Sequence, residues 1–285
     1  GVMRRFLFGV AAFAFAAPAA AQTDLATKFG ARESASSVSL SPDGKHIAFL
    51  QPVKGKGTAL FVADADSSAA PKQVTYSDAA PWQMIWCDWA SNTRLVCKAY
   101  GISNDAGLLL GFTRLLAINM DGTNVKSLGQ RESSRSLGIN QFDGDLVGWT
   151  ADDSGAVLMS RNYVPENTIG TRLAKTANGL GVDRVDTVTL KATREETPKG
   201  DAAGYIADTG GNIRIMAMEE RADDGVLRGI TRYYYRIPGE RDWRPFSEDS
   251  EAKPGMRPVA VDAARNVAYA YGKKDGRNVV YRVSL

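Results

Sequence analysis

One stretch decides the fold of this chain: Val38-Ser39-Leu40-Ser41-Pro42-Asp43-Gly44-Lys45-His46-Ile47-Ala48-Phe49-Leu50. Both of its ends are rich in apolar residues, while its centre, Pro42-Asp43-Gly44, contains residues that favour a tight turn. The stretch therefore predicts a strand, a turn and a second strand. Short β-branched and aromatic runs, separated by Gly, Asp, Asn and Ser, recur through the rest of the chain, which indicates an all-β fold.

Weaker copies of this pattern repeat along the sequence. Their turn segments are Ser91-Asn92, Asp152-Asp153-Ser154-Gly155, Asp208-Thr209-Gly210-Gly211 and Ala263-Ala264-Arg265-Asn266. The turn centres are about 48 to 62 residues apart, which is close to the length of one β-propeller blade with decorated loops. A chance series of hairpins is the alternative, which the period alone does not exclude.

Each copy is followed by a third apolar run and often by a fourth, which is the four-strand plan of a propeller blade. The fifth unit has a third run and no fourth after it. The sequence therefore predicts an incomplete β-propeller of about five four-stranded blades, the last one partial, over residues 22–285. We expect the remaining blades and a following domain to lie outside this chain. The predicted blades cover residues 36–77, 82–130, 145–198, 204–248 and 257–285.

The first residues have the anatomy of a secretory signal peptide. Arg4-Arg5 precede an apolar run over residues 6–17, and Pro18-Ala19-Ala20-Ala21 supplies a small-residue cleavage site. A buried or membrane-spanning helix is the alternative, but the run is shorter than the roughly 20 residues needed to cross a bilayer. We therefore predict that residues 1–21, with Gly1-Val2 as an extension, are a leader, and that the rest is periplasmic or secreted and not membrane-bound.

The charge and the metal-ligating residues exclude several functions. The formal net charge is +3, with 35 basic and 32 acidic residues. Because phosphate binding needs clustered Lys and Arg, this balance gives no reason to expect a nucleic-acid partner. The chain has one histidine, His46, and two cysteines, which do not complete a usual zinc set. No metal and no other cofactor is predicted.

The two cysteines, Cys87 and Cys97, belong to one predicted hairpin that turns around Asn92. They lie five residues on either side of the turn and would face each other across adjacent strands. This arrangement predicts a cross-strand disulfide. Two reduced, buried cysteines are the alternative, because cross-strand geometry is often strained.

Several stretches resemble a known family. The unit Ser41-Pro42-Asp43-Gly44-Lys45-x-Ile47-Ala48-Phe49, followed by Leu60-Phe61-Val62-Ala63-Asp64, is similar to the propeller repeat shared by the prolyl oligopeptidase family and the Tol envelope-system propellers. The similarity covers roughly residues 30–285. The following stretches more specifically resemble exported bacterial dipeptidyl or acylaminoacyl peptidases of the first family: Trp86-Cys87-Asp88-Trp89, Thr113-Arg114-Leu115-Leu116-Ala117-Ile118-Asn119-Met120-Asp121-Gly122, Tyr163-Val164-Pro165-Glu166 and Gly179-Leu180-Gly181-Val182-Asp183-Arg184-Val185-Asp186.

In that family, an amino-terminal propeller caps a carboxy-terminal α/β-hydrolase domain and admits only short peptides. The resemblance implies that this chain is the substrate-gating part of a serine peptidase, an enzyme only if the hydrolase domain follows in the full-length protein. The chain lacks the G-x-S-x-G elbow of that domain. Its nearest look-alike, Gly101-Ile102-Ser103-Asn104-Asp105, lacks the second glycine, and we expect it in a loop beyond a strand. With His46 predicted on a surface strand, no catalytic Ser-His-Asp set can be assembled.

Two groups of residues invite a functional interpretation. Some dipeptidyl members of the family bind the peptide amino terminus with paired glutamates, so Glu195 and Glu196 are candidate peptide-binding residues. The alternative is that both are solvated charges at the end of an outer strand. The run Tyr233-Tyr234-Tyr235 either lines a peptide groove or, because side chains alternate along a strand, packs between blades on both of its faces.

A second class of function stays open at this stage. The same repeat is typical of the Tol-system propellers, so the chain is alternatively a non-enzymatic envelope protein that docks a partner on its propeller. A propeller enzyme with a metal in its channel is disfavoured, because the sequence offers no His or Cys cluster.

Overall fold

The structure is a computed structural model that describes residues 30, 32–130, 133–138, 140–150, 152–168, 170 and 173–285. The predicted leader, residues 1–21, lies outside these described residues. Within them, the secondary structure consists of 19 β-strands in five antiparallel sheets, which follow one another in chain order. Each strand pairs with its neighbour in sequence, so every sheet is a simple meander.

The first four sheets have four strands each and the fifth has three. Sheets I and II contain β1 (Ser36–Leu40), β2 (His46–Pro52), β3 (Thr58–Asp64), β4 (Lys72–Ser77), β5 (Trp82–Ser91), β6 (Arg94–Asp105), β7 (Leu108–Asn119) and β8 (Lys126–Ser127). Sheets III, IV and V contain β9 (Asp145–Trp149), β10 (Ala156–Tyr163), β11 (Gly179–Asp186), β12 (Ala192–Lys199), β13 (Ala202–Ala207), β14 (Ile213–Arg221), β15 (Leu227–Tyr235), β16 (Arg244–Ser250), β17 (Arg257–Asp262), β18 (Val267–Lys274) and β19 (Arg277–Ser284).

The turn between β1 and β2 forms where the sequence predicts it. Gly44 has a φ of +73°, a backbone conformation that side-chain-bearing residues rarely adopt. The Ser41 hydroxyl donates to Asp43 Oδ1 at 2.6 Å, and the Lys45 amide donates to the same oxygen at 3.1 Å. These local bonds fix the turn and so bring β1 against β2.

The apolar core is divided into four clusters, one between each pair of successive sheets. Strand β10 illustrates the arrangement. Its Val157 and Met159 belong to the cluster between sheets II and III, whereas Leu158 belongs to the cluster between sheets III and IV. Because consecutive side chains of a strand point to opposite faces, one strand supplies two interfaces. Sheets that stack in sequence through their apolar faces are the blades of a β-propeller, and the predicted fold class is confirmed.

The tyrosine run on β15 follows the same rule. Tyr234 packs against the cluster between sheets III and IV, and Tyr233 and Tyr235 pack against the cluster between sheets IV and V. The structure therefore favours the packing interpretation of these residues over a peptide groove.

One expectation about the second sheet is wrong. The segment Gly101-Ile102-Ser103-Asn104-Asp105 lies within β6 and not in a loop. It continues in register opposite β7 as far as the pair Asp105 and Leu108, so the β6–β7 hairpin is longer than the turn signals indicate.

Candidate functional site

A cavity of about 1350 Å³ opens between sheets II and III. Strands β7 and β8 border it on one side, and β10, β11 and β12 border it on the other. Described residues of the connections 128–144 and 164–178, together with Thr189 and Leu190 in the turn between β11 and β12, supply the rest of its lining. It is larger than a second cavity of about 240 Å³ among the described residues, and it is lined by charged, polar and apolar side chains together.

The position of the cavity follows from the side-chain pattern of β10. On the face of this strand toward sheet II, Val157 and Met159 are apolar and buried in the core. The next two residues on the same face, Arg161 and Tyr163, are polar and line the cavity. The interface between the sheets is therefore closed where this face is apolar, and the cavity begins where the face becomes polar.

A buried ion pair forms the floor of the cavity. Arg161 Nη1 donates to Asp183 Oδ2 at 3.1 Å, and Arg161 Nη2 donates to the carbonyl of Leu128 at 2.5 Å. The Tyr163 hydroxyl donates to the same Asp183 oxygen at 2.6 Å. Antiparallel register explains the group: Asp183 is opposite Met159, two residues from Arg161, so all three side chains share one face. Burial, and then the bond to Asp183, raises the pKa of Tyr163.

The lining carries more positive than negative charge. Its cations are Arg114, Lys126, Arg161, Lys175 and Arg194, and its carboxylates are Asp143 and Glu166. Both carboxylates already have arginine partners: Asp143 is 3.5 Å from Arg114, and Glu166 is 3.2 Å from Arg135.

Arg194 lies over the ring of Tyr163. Its guanidinium carbon is 4.6 Å from the ring centroid, a cation–π contact. In the described part of the chain, no carboxylate forms an ion pair with Arg194, Lys126 or Lys175. The cavity therefore combines cations without a direct ion-pair partner among the described residues with large apolar side chains, which are Val125, Leu128, Phe142, Val164, Val185 and Leu190.

The chain's single histidine lies elsewhere. His46 is at the start of β2 in sheet I, with Nδ1 3.0 Å from Asp64 Oδ1 and its ring stacked near Trp89. The nearby Ser41 hydroxyl accepts from the His46 backbone amide and donates to Asp43, so it does not address the imidazole. This group lacks the serine-to-imidazole bond that a catalytic triad needs.

The structure separates the two glutamates that the sequence singles out. Glu196 on β12 is buried, with 6% of its surface exposed, and it accepts from Arg236, whose guanidinium lies 4.5 Å from the Trp243 ring. Its interpretation as a solvated charge is wrong, because Arg236, which directly follows β15 of the next sheet, covers it. Glu195 is exposed beside a second cavity of about 240 Å³. Peptide binding by the pair stays a prediction.

The two cysteines occupy facing positions on β5 and β6 and are bonded to each other. The S–S distance is 2.06 Å, and both residues belong to the cluster between sheets I and II. Among the described residues, no group of three His, Cys, Asp or Glu side chains is placed to hold a metal ion. No helix in that part of the chain has the length and apolarity of a membrane span.

Sequence reasoning missed the cavity. Its signal is weak but present: Arg161 interrupts the buried run of β10, and Arg114 and Arg194 also fall within strands. An arginine in the interior of a predicted strand either has a buried hydrogen-bond or ion-pair partner or faces a solvent-filled cavity, and the sequence does not specify which.

The fold and the cavity together define the chain as a propeller domain with a basic cavity between two blades. No protein-family model and no curated protein matches it. Among solved structures, it is similar to an acylaminoacyl peptidase in complex with Z-Gly-Gly-Phe-chloromethyl ketone, at 14% identity and a TM-score of 0.49 over 88% of this chain and 37% of that one. This chain therefore spans a little over a third of that peptidase.

Two further solved structures are similar over 88% of this chain. One is the β-propeller domain of the Trilobed protease from Pyrococcus furiosus, at 14% identity, a TM-score of 0.46 and 67% coverage of that chain. The other is TolB from Acinetobacter baumannii, at 12% identity, a TM-score of 0.40 and 54% coverage. Similarity at this level says nothing about activity or substrate.

Proposed function

We propose that this chain is the substrate-gating propeller portion of a periplasmic or secreted serine peptidase that resembles the prolyl oligopeptidase family. In this proposal, the full-length enzyme acts on short peptides, and an α/β-hydrolase domain outside this sequence supplies the acyl-transfer chemistry. The blades restrict access by size and contribute binding groups.

One observation carries the proposal. The described chain is a stack of blades in which the only histidine, His46, is hydrogen-bonded to Asp64 in sheet I. The adjacent Ser41 hydroxyl bonds to the His46 backbone amide and not to its imidazole ring. In this proposal, such a chain controls the entry of peptide substrates and helps to bind them, while residues outside it carry out the covalent steps of proteolysis. The family resemblance of residues 30–285 supports the assignment to peptidases.

The test compares two products of the same gene. We expect the reading frame beyond Leu285 to encode G-x-S-x-G, followed by Asp and His. The full-length product should cleave chromogenic dipeptide or acyl-amino-acid substrates and lose this activity with a serine-directed inhibitor, while the 285-residue chain should cleave neither. Inhibitor-sensitive hydrolysis by the short chain, or a gene without a later G-x-S-x-G, would contradict the proposal.

Export is tested separately. Cleavage of the proposed leader should give a mature protein that starts at Gln22, recovered from the periplasm or the medium. Mass spectrometry of the protein from its native cells measures this directly. An intact amino terminus in the cytoplasmic fraction would contradict export and leave the peptidase assignment untouched.

The β6–β7 hairpin favours a second candidate function, a non-enzymatic binding propeller. Beyond Gly101, the last residue of β6 opposite β5, the hairpin continues as a two-stranded ribbon. Its Ile102, Leu108 and Leu109 are 51%, 63% and 69% exposed, which is typical of a docking surface. A pull-down from a periplasmic extract discriminates the two functions: a partner lost on Leu108→Ser with Leu109→Ser supports docking, and no stable partner supports gating.

A further inference from the structure

The cavity between sheets II and III contains three cations that form no ion pair within 4.0 Å with a described carboxylate. Three other arginines there are each neutralised by one carboxylate. The pairs are Arg114 with Asp143, Arg135 with Glu166, and Arg161 with Asp183. Lys126, Lys175 and Arg194 remain, and no described carboxylate forms an ion pair with them. The lining therefore keeps an excess of three positive charges in a chain whose overall charge is nearly balanced.

A series of contacts positions Arg194. The Arg161–Asp183 pair is buried, with 8% and 4% of the side chains exposed, and Asp183 accepts the Tyr163 hydroxyl. Tyr163 in turn presents its ring to Arg194. Arg194 is also within hydrogen-bonding reach of the Tyr163 side chain. The outer edge of a stacked guanidinium matches a carboxylate in a bidentate geometry.

The rest of the lining suits a ligand that is apolar as well as anionic. Phe142 and Leu190 are exposed in the cavity wall, at 55% and 39%, beside Val164. The volume exceeds the roughly 300–1000 Å³ of usual small-molecule sites, which leaves room for several linked residues. Free phosphate fits the charge but leaves this apolar surface uncovered.

We propose that this cavity binds the carboxylate of a short apolar peptide, with Arg194 as the bidentate anchor and Lys126 and Lys175 as supporting charges. The inference rests on the proposed function in naming a peptide as the ligand. It goes beyond that function by assigning the cavity and the chemical group it recognises. The carboxylate is either the carboxy terminus or an acidic side chain of the peptide.

Three peptides distinguish these sources: acetyl-Phe-Leu-Phe with a free carboxylate, its carboxamide, and acetyl-Phe-Glu-Phe-amide. Isothermal titration of the purified chain at low salt measures their affinities, with inorganic phosphate as a competitor. We expect the carboxamide without an acidic residue to bind at least about tenfold more weakly than one or both acidic peptides. The stronger of the acidic peptides identifies the source of the carboxylate.

Matched variants test the anchor. Arg194→Gln should weaken the binding of the acidic peptide at least about tenfold and leave the binding of the carboxamide unchanged. The affinity of Arg194→Lys for the acidic peptide should lie between those of the unchanged chain and Arg194→Gln. Arg228→Gln, a change at an exposed strand arginine of sheet IV, is the control and should change nothing. Circular dichroism and the urea midpoint confirm folding, which is expected because Arg194 is exposed.

Several results would overturn the inference: no binding of any peptide, equal binding of acid and amide, full affinity in Arg194→Gln, or displacement of the peptide by equimolar phosphate. Failure of the proposed function has a different readout, because it appears as absence of hydrolysis by the full-length product. The acid-to-amide ratio is measured on the short chain and does not depend on hydrolysis.

Discussion

The junction between sheets IV and V and the junction between sheets II and III both contain arginines from strands, but their surroundings are opposite. At the first, Arg214 and Asp208 are 1% and 0% exposed. Arg214 donates to Asp208 Oδ2 at 3.1 Å, to Asn266 Oδ1 at 2.6 Å and to the Arg236 carbonyl at 2.6 Å. Each of its three nitrogens has a protein acceptor, and the guanidinium is buried among these groups.

At the second junction, Arg194 is exposed and stacks on the Tyr163 ring. It forms no ion pair with a carboxylate among the described residues. The difference teaches how to interpret arginines in a propeller. A buried guanidinium with a protein acceptor on each nitrogen links two blades, whereas one stacked on an aromatic ring at a cavity wall is available to bind. Substituting an arginine of the first kind should lower the stability of the chain, whereas substituting one of the second kind should lower its affinity for a ligand.

The largest expected effect comes from Arg214→Leu. The change leaves Asp208 buried without its cation, which costs about 3–5 kcal/mol of unfolding free energy. Urea unfolding followed by circular dichroism measures it, and Arg228→Gln serves again as the exposed control, within about 0.5 kcal/mol of the unchanged chain. A loss below about 1 kcal/mol for Arg214→Leu would remove the distinction between the two junctions.

The next effect concerns a covalent link within sheet II, where the disulfide joins β5 to β6 and packs in the cluster between sheets I and II. Replacing both Cys87 and Cys97 with Ser opens a loop whose ends are 10 residues apart and should cost about 2–3 kcal/mol. The same urea experiment measures the loss. The unreduced, unfolded chain should contain no thiol that reacts with Ellman's reagent, and two reactive thiols would refute the bond.

Tyr205 gives a smaller effect that appears only at high pH. It lies at the junction between sheets III and IV, and burial, then the charge of Glu196, raises its pKa to about 12. The unfolded phenol ionises near pH 10 while the folded one keeps its proton, so the unfolded state binds fewer protons and stability falls as pH rises from about 10 to 12. The loss, discounted for solvent screening, is about 1–2 kcal/mol.

The measurement for Tyr205 compares urea midpoints at pH 9 and pH 11.5 for the unchanged chain and Tyr205→Phe. The variant should lose less stability over this interval, because it has no proton to release. Tyrosinate absorbance at 295 nm reports the titration directly. Identical pH dependence of the two proteins would show that Tyr205 titrates normally in the folded state.

The smallest effect lies at an exposed turn of sheet III. Hydrogen bonds from Thr150 and then Ser154, helped by the charge of Arg184, lower the pKa of Asp152 to about 2. The contribution is present above the unfolded pKa near 3.9 and is lost as pH falls through 2. Because the carboxylate is exposed, it amounts to under about 1 kcal/mol.

Asp152→Asn should therefore flatten the decline in stability between pH 4 and pH 2. Thermal unfolding at these two pH values measures the slope. Asp275→Asn, at another exposed turn, is the control and should leave the slope unchanged. If the stability of both variants declines as steeply as that of the unchanged chain, the hydrogen bonds at Asp152 do not stabilise its charged form in the folded state.

The fold was predictable because its information is local. The turn chemistry at Pro42-Asp43-Gly44 and the alternation in the tyrosine run of β15 each decide pairing or packing within a few residues. The five-sheet plan followed from repeating such units. The extent of the β6–β7 hairpin was not predictable in this way, because Gly101-Ile102-Ser103-Asn104-Asp105 carries turn-forming residues that the strand register overrides.

The candidate site depended on contacts between distant parts of the sequence. Glu196 meets a cation that is 40 residues further along the chain, and the cavity wall combines strands of two sheets with both of their long connections. Nothing local distinguishes the exposed Arg194 from the buried Arg161. Such sites are visible only once neighbouring blades are placed against each other.

Strand β10 has one further consequence for how the chain tolerates change. Because Val157 and Met159 serve one interface and Leu158 the other, the strand is a wall common to two compartments. Inserting one residue at its start would move every following side chain to the opposite face of the sheet, and would take Arg161 away from its partner Asp183. Insertions in this strand should therefore be acceptable only in pairs.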